Sequence, residues 1–364
     1  MKRIPALSMF QIVIVIASTS FGIAVLSFPR FMAEDAGTGA PLLALTGILG
    51  PIVMLWPLVS LGRRYQSSIF DYGAKLLGKW PAVFLNAVLF LYFTLALALG
   101  TRQFGDVLSA VVFRKTPIEI CILLILFITT LSCRRNELKF SYIHLFYFPF
   151  SFFPFLTIII ILLPRVSMLN LQPFYWVDTG HLGAGLLKAT APYLTAFIIT
   201  ILIPFMSKPQ EAMKSGIYGI ILSGMLYLVM VFAVIGVYGV EETKILLYPT
   251  LELSRSISLG GGVLERFDVI FIIIWFLAVF TTQYSNYYLA TYALGKIFSV
   301  SDLRLTSSFL LPYLLVLAML PDDVFITRLM TQRLELSGVI LLIAYPLFLL
   351  IIGQFRRKGA AVDE

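Results

Sequence analysis

The chain alternates long apolar runs with short polar connections from one end to the other. The runs fall at 9–28, 39–61, 81–103, 117–133, 143–163, 183–205, 215–239, 269–292, 306–320 and 336–355. Most are close to the ~20 residues that carry a helix across a bilayer, and they predict ten transmembrane helices. The ninth is short and ends at Pro321, Asp322 and Asp323. The first is different in kind. Ser18, Thr19, Ser20, Gly22 and Ala24 cluster inside it, and Pro29 closes it. Backbone in a bilayer leaves helical geometry only where protein or a cavity receives its N–H and C=O groups. Such interrupted helices form midplane sites in transporter-like folds. Small residues also let helices pack closely without any ligand, so this stretch alone reads equally as a seam or a site.

The connections carry a second regularity. Between spans two and three, Ser67 or Ser68 can cap a short helix over 67–78, with Ile69, Tyr72, Leu76 and Leu77 on one face. Between spans seven and eight, 248–258 reads as another short amphipathic helix, closed by Gly260, Gly261 and Gly262. With the N-terminus inside, the first lies on the inner surface and the second on the outer. They occupy equivalent places if 9–163 and 183–355 are two five-helix repeats related by inversion, within a single membrane domain over 1–364. Inversion predicts that span six mirrors span one. It carries Pro192 and Pro204, each lacking a backbone donor, with Thr190, Thr195 and Thr200 between or beside them. A proline kink without unwinding is the simpler reading of that span.

Composition agrees. Of 364 residues, 59% are hydrophobic and 13% charged, with 31 Phe and a mean hydropathy of +0.94. Soluble domains carry about 25% charged residues. The net charge of +8 is explained by topology rather than by nucleic acid. With both termini inside, the inner segments sum to +10 and the outer ones to −2, the bias of the positive-inside rule. Met1, Lys2 and Arg3 precede a run too long for a cleavable signal peptide. Cys121 and Cys133 lie in one run, about 18 Å apart if helical, too far for a disulfide. His144 and His181 with no Cys/His clustering leave no case for a metal.

Candidate chemistry concentrates between the two interrupted spans. Positive helix ends there favour a carboxylate. Span three offers Tyr92, Phe93 and Ala96. Span eight offers Thr281, Thr282, Gln283, Tyr284, Ser285 and Asn286, an unusually polar patch suited to a small amino acid or similar solute, though interhelical hydrogen bonding would also account for each of these residues. Arg102 and Asp106, one turn apart, read as an interfacial ion pair. No Asp, Glu, Lys or His falls near the middle of any predicted span, which weakens a proton-driven carrier. Nothing assembles a nucleophile with a base, a phosphate loop or paired catalytic carboxylates, so an enzyme is not expected and no cofactor is implied.

The chain also resembles, over nearly its whole length, the B subunit of the spore germination nutrient receptors, a branch of the amino acid–polyamine–organocation transporter superfamily. The resemblance rests on Phe10 and Gln11, the Gly22 to Arg30 stretch, Leu77 to Lys79, Tyr92 and Phe93, Thr101 and Arg102, and Arg114 to Pro117. It continues through Asn170 to Pro173, Tyr248 to Thr250, Leu264 to Phe267, Trp275, Phe280 to Thr282 and Pro321 to Asp323. Each is weak alone; their order and spacing are specific. The resemblance implies an all-α membrane protein with the ten-helix, five-plus-five inverted repeat of the LeuT-like fold, helices 1 and 6 interrupted. It implies a germinant site formed by spans one, three, six and eight. Carried over by position, the ligand meets Gly22, Ile23 and Ala24, Tyr92 and Ala96, Phe197 and Ile198, and Thr281, Thr282 or Tyr284. It implies an A subunit and a C lipoprotein as partners, in the inner membrane of the endospore. Relatives often have a second glycine where this chain has Ala24, and a Gly and a Glu where it has Ile199 and Ile201. The expected pocket is therefore more apolar than its relatives', and span six less fully unwound. A secondary amino-acid transporter and a structural membrane partner with a vestigial pocket are the alternative functions.

Overall fold

A computed structural model describes residues 6–173, 182–256 and 267–360. The first helix starts from a reciprocal cap. Ser8 Oγ accepts from the Gln11 amide at 3.3 Å, and Gln11 Oε1 accepts from the Ser8 amide at 2.8 Å, satisfying two donors that a helix start otherwise leaves open. This helix, α1 (Met9–Ser20), ends at Phe21, whose backbone is extended (φ −111°, ψ 92°). A 3₁₀ turn (Ile23–Leu26) follows, and α2 (Phe28–Ala36) resumes with Pro29 in its first turn, where a missing N–H costs nothing. Span one is thus two half-helices around a break at Phe21 and Gly22.

The carbonyls freed by the break are met by side chains from three other helices. Tyr227 of α11 (Ala212–Ile245) donates to Ser20 O at 3.0 Å. Thr281 of α13 (Phe267–Phe298) donates to Ser18 O at 3.1 Å. Thr250 of the short α12 (Pro249–Arg255) donates to Val25 O at 2.7 Å. This is the internal satisfaction that a bilayer demands.

Span two is α3 (Ala40–Thr46) and α4 (Leu49–Tyr65), with a short α5 (Ile69–Leu77) after it. The long α6 (Lys79–Val111) is span three, α7 (Ile118–Cys133) span four and α8 (Glu137–Leu162) span five. Span six is interrupted in a tighter way. Its α9 (Leu182–Thr190) passes into a 3₁₀ stretch over Ala191–Ile198, one turn of α10 (Ile199–Leu202) and a 3₁₀ turn over Ile203–Phe205. Spans seven and eight are α11 and α13, span nine is α14 (Leu303–Met319) and span ten is α15 (Val324–Ala360). Residues Gly260 to Gly262, Glu265 and His181 lie outside the described residues.

Helix α13 packs along α6, and α1 along α11 and α8, so the two crossings enclose the break. Outward faces are apolar. Phe146, Phe150 and Phe153 of α8 recur at helical spacing and are more than half exposed, an arrangement stable in lipid rather than water. At Gly239 the α11 backbone turns to φ +75° and the helix kinks. The Gly236 carbonyl is then met by the Ser167 amide at 2.8 Å and Asn170 Nδ2 at 3.0 Å. Arg102 and Asp106 form the expected ion pair at 3.1 Å, and Arg102 also donates to Asp322 O at 3.3 Å, tying α6 to the α14–α15 turn.

At the opposite end the two interrupted spans are joined directly. The Leu7 amide donates to Phe205 O at 2.8 Å, and the Ser207 amide donates to Leu7 O at 2.9 Å.

Several helices overrun the apolar runs that predicted them, and this corrects one expectation. Helix α15 begins twelve residues before the predicted 336, with Asp323 capping the Phe325 and Ile326 amides at 2.8 Å each. Glu335 therefore lies well inside span ten. His144 lies two turns into α8. Ionisable side chains do sit within the bundle.

Candidate functional site

The break in span one opens onto a central cavity of about 70 Å³. That is room for several ordered waters or a solute of few non-hydrogen atoms. Gly22, Ile23 and Ala24 of the break line it, with Tyr92, Ala96, Gly100 and Gln103 of α6, and Thr282, Gln283 and Asn286 of α13. Span six contributes Ala191, Pro192, Leu194 and Thr195, and α15 contributes Thr331, Leu334 and Glu335. A flanking cavity of about 50 Å³ shares Ile23, Ala24, Gln103, Pro192, Thr331 and Glu335 with it, and extends past Trp275 towards Phe31 and Arg328.

Gly22 is required here by close approach. A Cβ on it would be driven into the Thr282 hydroxyl and would lie 2.7 Å from Thr282 Cβ. The break and α13 thus touch at backbone distance, which places the Thr282 hydroxyl beside the unwound segment. A polar chain runs round the cavity wall. Thr195 Oγ1 donates to Asn286 Oδ1 at 3.3 Å, Asn286 Nδ2 to Gln283 Oε1 at 3.4 Å, and Gln283 Nε2 to Thr101 Oγ1 at 3.1 Å and Leu97 O at 3.0 Å. It links span six, α13 and α6. Among the described residues, two that line the cavities carry a buried polar atom without a partner: Ser20 (Oγ) at the central cavity and Trp275 (Nε1) at the flanking one.

Six of the ten sequence-predicted residues line the central cavity: Gly22, Ile23, Ala24, Tyr92, Ala96 and Thr282. The other four point elsewhere. Phe197 is fully buried and packs its ring on Phe93 at 5.6 Å, and Ile198 is fully buried beside it. Thr281 is spent on the Ser18 carbonyl. Tyr284 donates to Ser132 O at 3.1 Å and stacks on Phe280 and His144. On α13 the cavity face is Thr282, Gln283 and Asn286, and Thr281, Tyr284 and Ser285 turn away towards α1, α7 and α8.

Behind the break, His144 bridges three helices. Its Nδ1 lies 2.6 Å from Ser18 Oγ of α1, and its Nε2 lies 3.1 Å from Ser285 Oγ of α13. The ring is fully buried. The apolar runs gave no sign of this contact, since Ser18 and His144 are joined only by tertiary packing. Thr331 and Glu335 had a legible signal. Thr327, Thr331 and Glu335 recur every four residues, a polar stripe that continues span ten's helix upstream. Glu335, one residue before the predicted start of span ten, puts an acid on the cavity wall. Among the described residues no group of three or more His, Cys, Asp and Glu could hold a metal ion.

At the Arg328 end, charged side chains lie beside the flanking cavity. Glu34 of α2 pairs with Arg30 at 2.8 Å and with Arg328 of α15 at 3.1 Å, and the Arg328 guanidinium sits 4.8 Å from the Phe31 ring centre. Asp35 pairs with Lys188 of α9 at 2.7 Å. Tyr248, in the α11–α12 connection, faces the same cavity, and burial pushes its phenol above the ordinary value.

Among the described residues seven helices are long and apolar enough to cross a membrane and three more are shorter and apolar; with paired interrupted helices around a central cavity they define a membrane protein of the LeuT-type fold. A solved Na+-coupled sialic acid symporter, in a substrate-bound outward-open state, has the same fold, with a TM-score of 0.66 over 93% of this chain and 79% of that one at 11% identity. Residues 6–325 match the family model described as spore germination protein, and the chain belongs to that family. It is similar to spore germination protein YndE of Bacillus subtilis (strain 168), 26% identical over 96% of both chains. It is also similar to spore germination protein B2 of the same organism, 26% identical over 81% of both, and to GerLB of Bacillus cereus, 21% identical over 94% of this chain and 93% of that one.

Proposed function

We propose that this chain is the nutrient-sensing subunit of a spore germination receptor. It binds a small polar solute, such as an amino acid, at the central cavity. Gly22, Ile23, Ala24, Tyr92, Ala96 and Thr282 contact the ligand, and Phe197, Ile198, Thr281 and Tyr284 support them from behind. The observation that carries this reading is the cavity at the break in span one, where Thr282 abuts Gly22. Ligand binding shifts the balance between two arrangements of the interrupted helices. An A subunit and a C lipoprotein read the shift in the inner membrane of the endospore, with both termini of this chain inside. Two inverted five-helix repeats, 9–163 and 183–355, supply the two interrupted spans. Substituting Thr282 or Tyr92 should raise the nutrient concentration for half-maximal germination without lowering the protein level. An unchanged dose–response for both would remove the ligand from this cavity.

Secondary amino-acid transport is the second reading. It is favoured by the fold shared with a Na+-coupled symporter. Gradient-driven uptake of labelled amino acids by the purified chain in liposomes would replace the sensor with a carrier.

A further inference from the structure

Three acidic side chains stand near the two cavities from the α2 and α15 sides, and they are not equivalent. Glu34 is held by Arg30 and Arg328, and Asp35 by Lys188. Glu335 has no ion pair and no hydrogen bond among the described residues. It is partly buried on α15 and lines both cavities, one turn beyond Thr331. The two cations that line the flanking cavity, Lys188 and Arg328, are both committed to the other acids. The cavity walls therefore hold one uncompensated carboxylate.

A carboxylate taken from water without a partner is expensive, and such groups inside membrane segments mark substrate or ion paths. The position is held by packing on both sides. Glu335 stands about 16 Å along the helix from Val324 at 1.5 Å per residue. Three residues on, Gly338 lies so close to the Tyr92 ring that no Cβ could be accommodated. Tyr92 lines the same cavity and fixes how deeply α15 sits against α6 at that level. One turn before Glu335, Thr331 accepts from Gln103 Nε2 at 2.9 Å, which holds the preceding turn of α15 to α6 as well. A side chain presented from a turn pinned in this way has a defined direction, as a charge anchor requires.

We propose that Glu335 is the specificity-determining residue of the central cavity and that it recognises a positively charged nitrogen on the ligand. This rests on the ligand-binding reading above and narrows it: the solute carries an ammonium group. Glu335 forms a charge-assisted hydrogen bond with that nitrogen. Matched solutes lacking the charge leave the carboxylate buried and unpaired, and the site discriminates against them for that reason. Ser20 Oγ and Trp275 Nε1, on residues that line the two cavities, are buried and without partners among the described residues.

The test uses the full chain, purified in nanodiscs, with its melting temperature read against four probes of similar size: L-alanine, ethanolamine, L-lactate and glycerol. Stabilisation by alanine or ethanolamine, with at least tenfold weaker apparent binding of lactate and glycerol, is expected. Glu335→Gln should lose that preference, bringing the probes with and without an ammonium group to within about threefold of each other, and Glu335→Asp should keep part of it. Each variant's melting temperature without probe reports whether it is folded. Lactate or glycerol binding as tightly as alanine, or Glu335→Gln retaining the wild-type preference, overturns the role of Glu335 while leaving the cavity as a ligand site. If Glu335→Gln fails to fold, the wild-type ranking and Glu335→Asp decide the matter. Absence of stabilisation by every probe overturns both this assignment and the ligand-binding reading.

Discussion

Spans one and six solve one problem in two ways. In span one the helix stops. Phe21 is extended, Gly22 meets Thr282 at backbone distance, and the freed carbonyls are taken by Tyr227, Thr281 and Thr250. In span six the chain never leaves helical space. Ala191–Ile198 tightens to a 3₁₀ helix with Pro192 in its first turn, and i→i+3 bonds keep the carbonyls paired. Span one therefore offers backbone to the cavity, and span six offers mainly side chains, Pro192, Leu194 and Thr195 among them. The absence of a glycine after Gly185 in span six is the sequence counterpart of that difference.

The sharpest way to break the comparison is Gly22→Val. Two added methyl groups and a Cβ have to enter space held by Thr282 and the Ala278 carbonyl. Overpacking of this kind costs about 1–3 kcal/mol or more, and germination activity should be lost. Gly22→Ala should be milder, and combining it with Thr282→Gly should recover at least half of the lost thermal stability. No recovery in the double variant would separate Gly22 from Thr282.

Next in size is His144→Leu. It removes both ring contacts behind the break, with Ser18 and with Ser285. Buried polar groups stripped of a partner cost about 1–3 kcal/mol. The two hydroxyls keep backbone acceptors at Val15 O and Thr281 O, so the loss should fall at the lower end. A fall in melting temperature larger than that for Gly22→Ala would make His144, rather than Gly22, the main support of the broken geometry.

The smallest effect is expected from Pro192→Ala. Its ring sits where α9 passes directly into the 3₁₀ stretch; alanine there would regain one amide hydrogen bond to the preceding turn, about 0.5–1.5 kcal/mol, and lose proline's restraint on the unfolded chain, about 0.4–1 kcal/mol, so the two nearly offset. Stability measured by thermal unfolding should change by less than about 1 kcal/mol, while the equivalent disturbance in span one is severe. A large loss would mean that span six depends on its proline as span one depends on its glycine.

Much of this was legible in the order of residues. Apolar runs of bilayer length located the spans, and Gly22 with its hydroxyl neighbours and Pro29 located the break. What hydropathy marks, however, is where contact with lipid stops, and a helix can continue beyond it. Thr331 and Glu335 were passed over for that reason: the four-residue polar stripe that marks them lies upstream of the apolar run that defined the span. That Phe197, Ile198, Thr281 and Tyr284 do not line the cavity has another cause. Each residue along a helix turns the side chain by about 100°, so a neighbour in sequence can face the opposite wall. In span six the facing positions are Ala191, Pro192, Leu194 and Thr195, one turn earlier than expected. His144 and Ser18 lie 126 residues apart, and no local pattern joins them.

The backbone bridge between Leu7 and the end of span six has a mechanical meaning. Leu7 is completely shielded, and both its amide and its carbonyl are spent on residues 205 and 207. The feet of the two interrupted helices are yoked, so neither can swing out without unstitching both bonds. A rearrangement begun at the break in span one is carried at that end by a pair of helices moving as one lever, while at the far ends the Asp35–Lys188 ion pair clasps α2 to α9 through side chains.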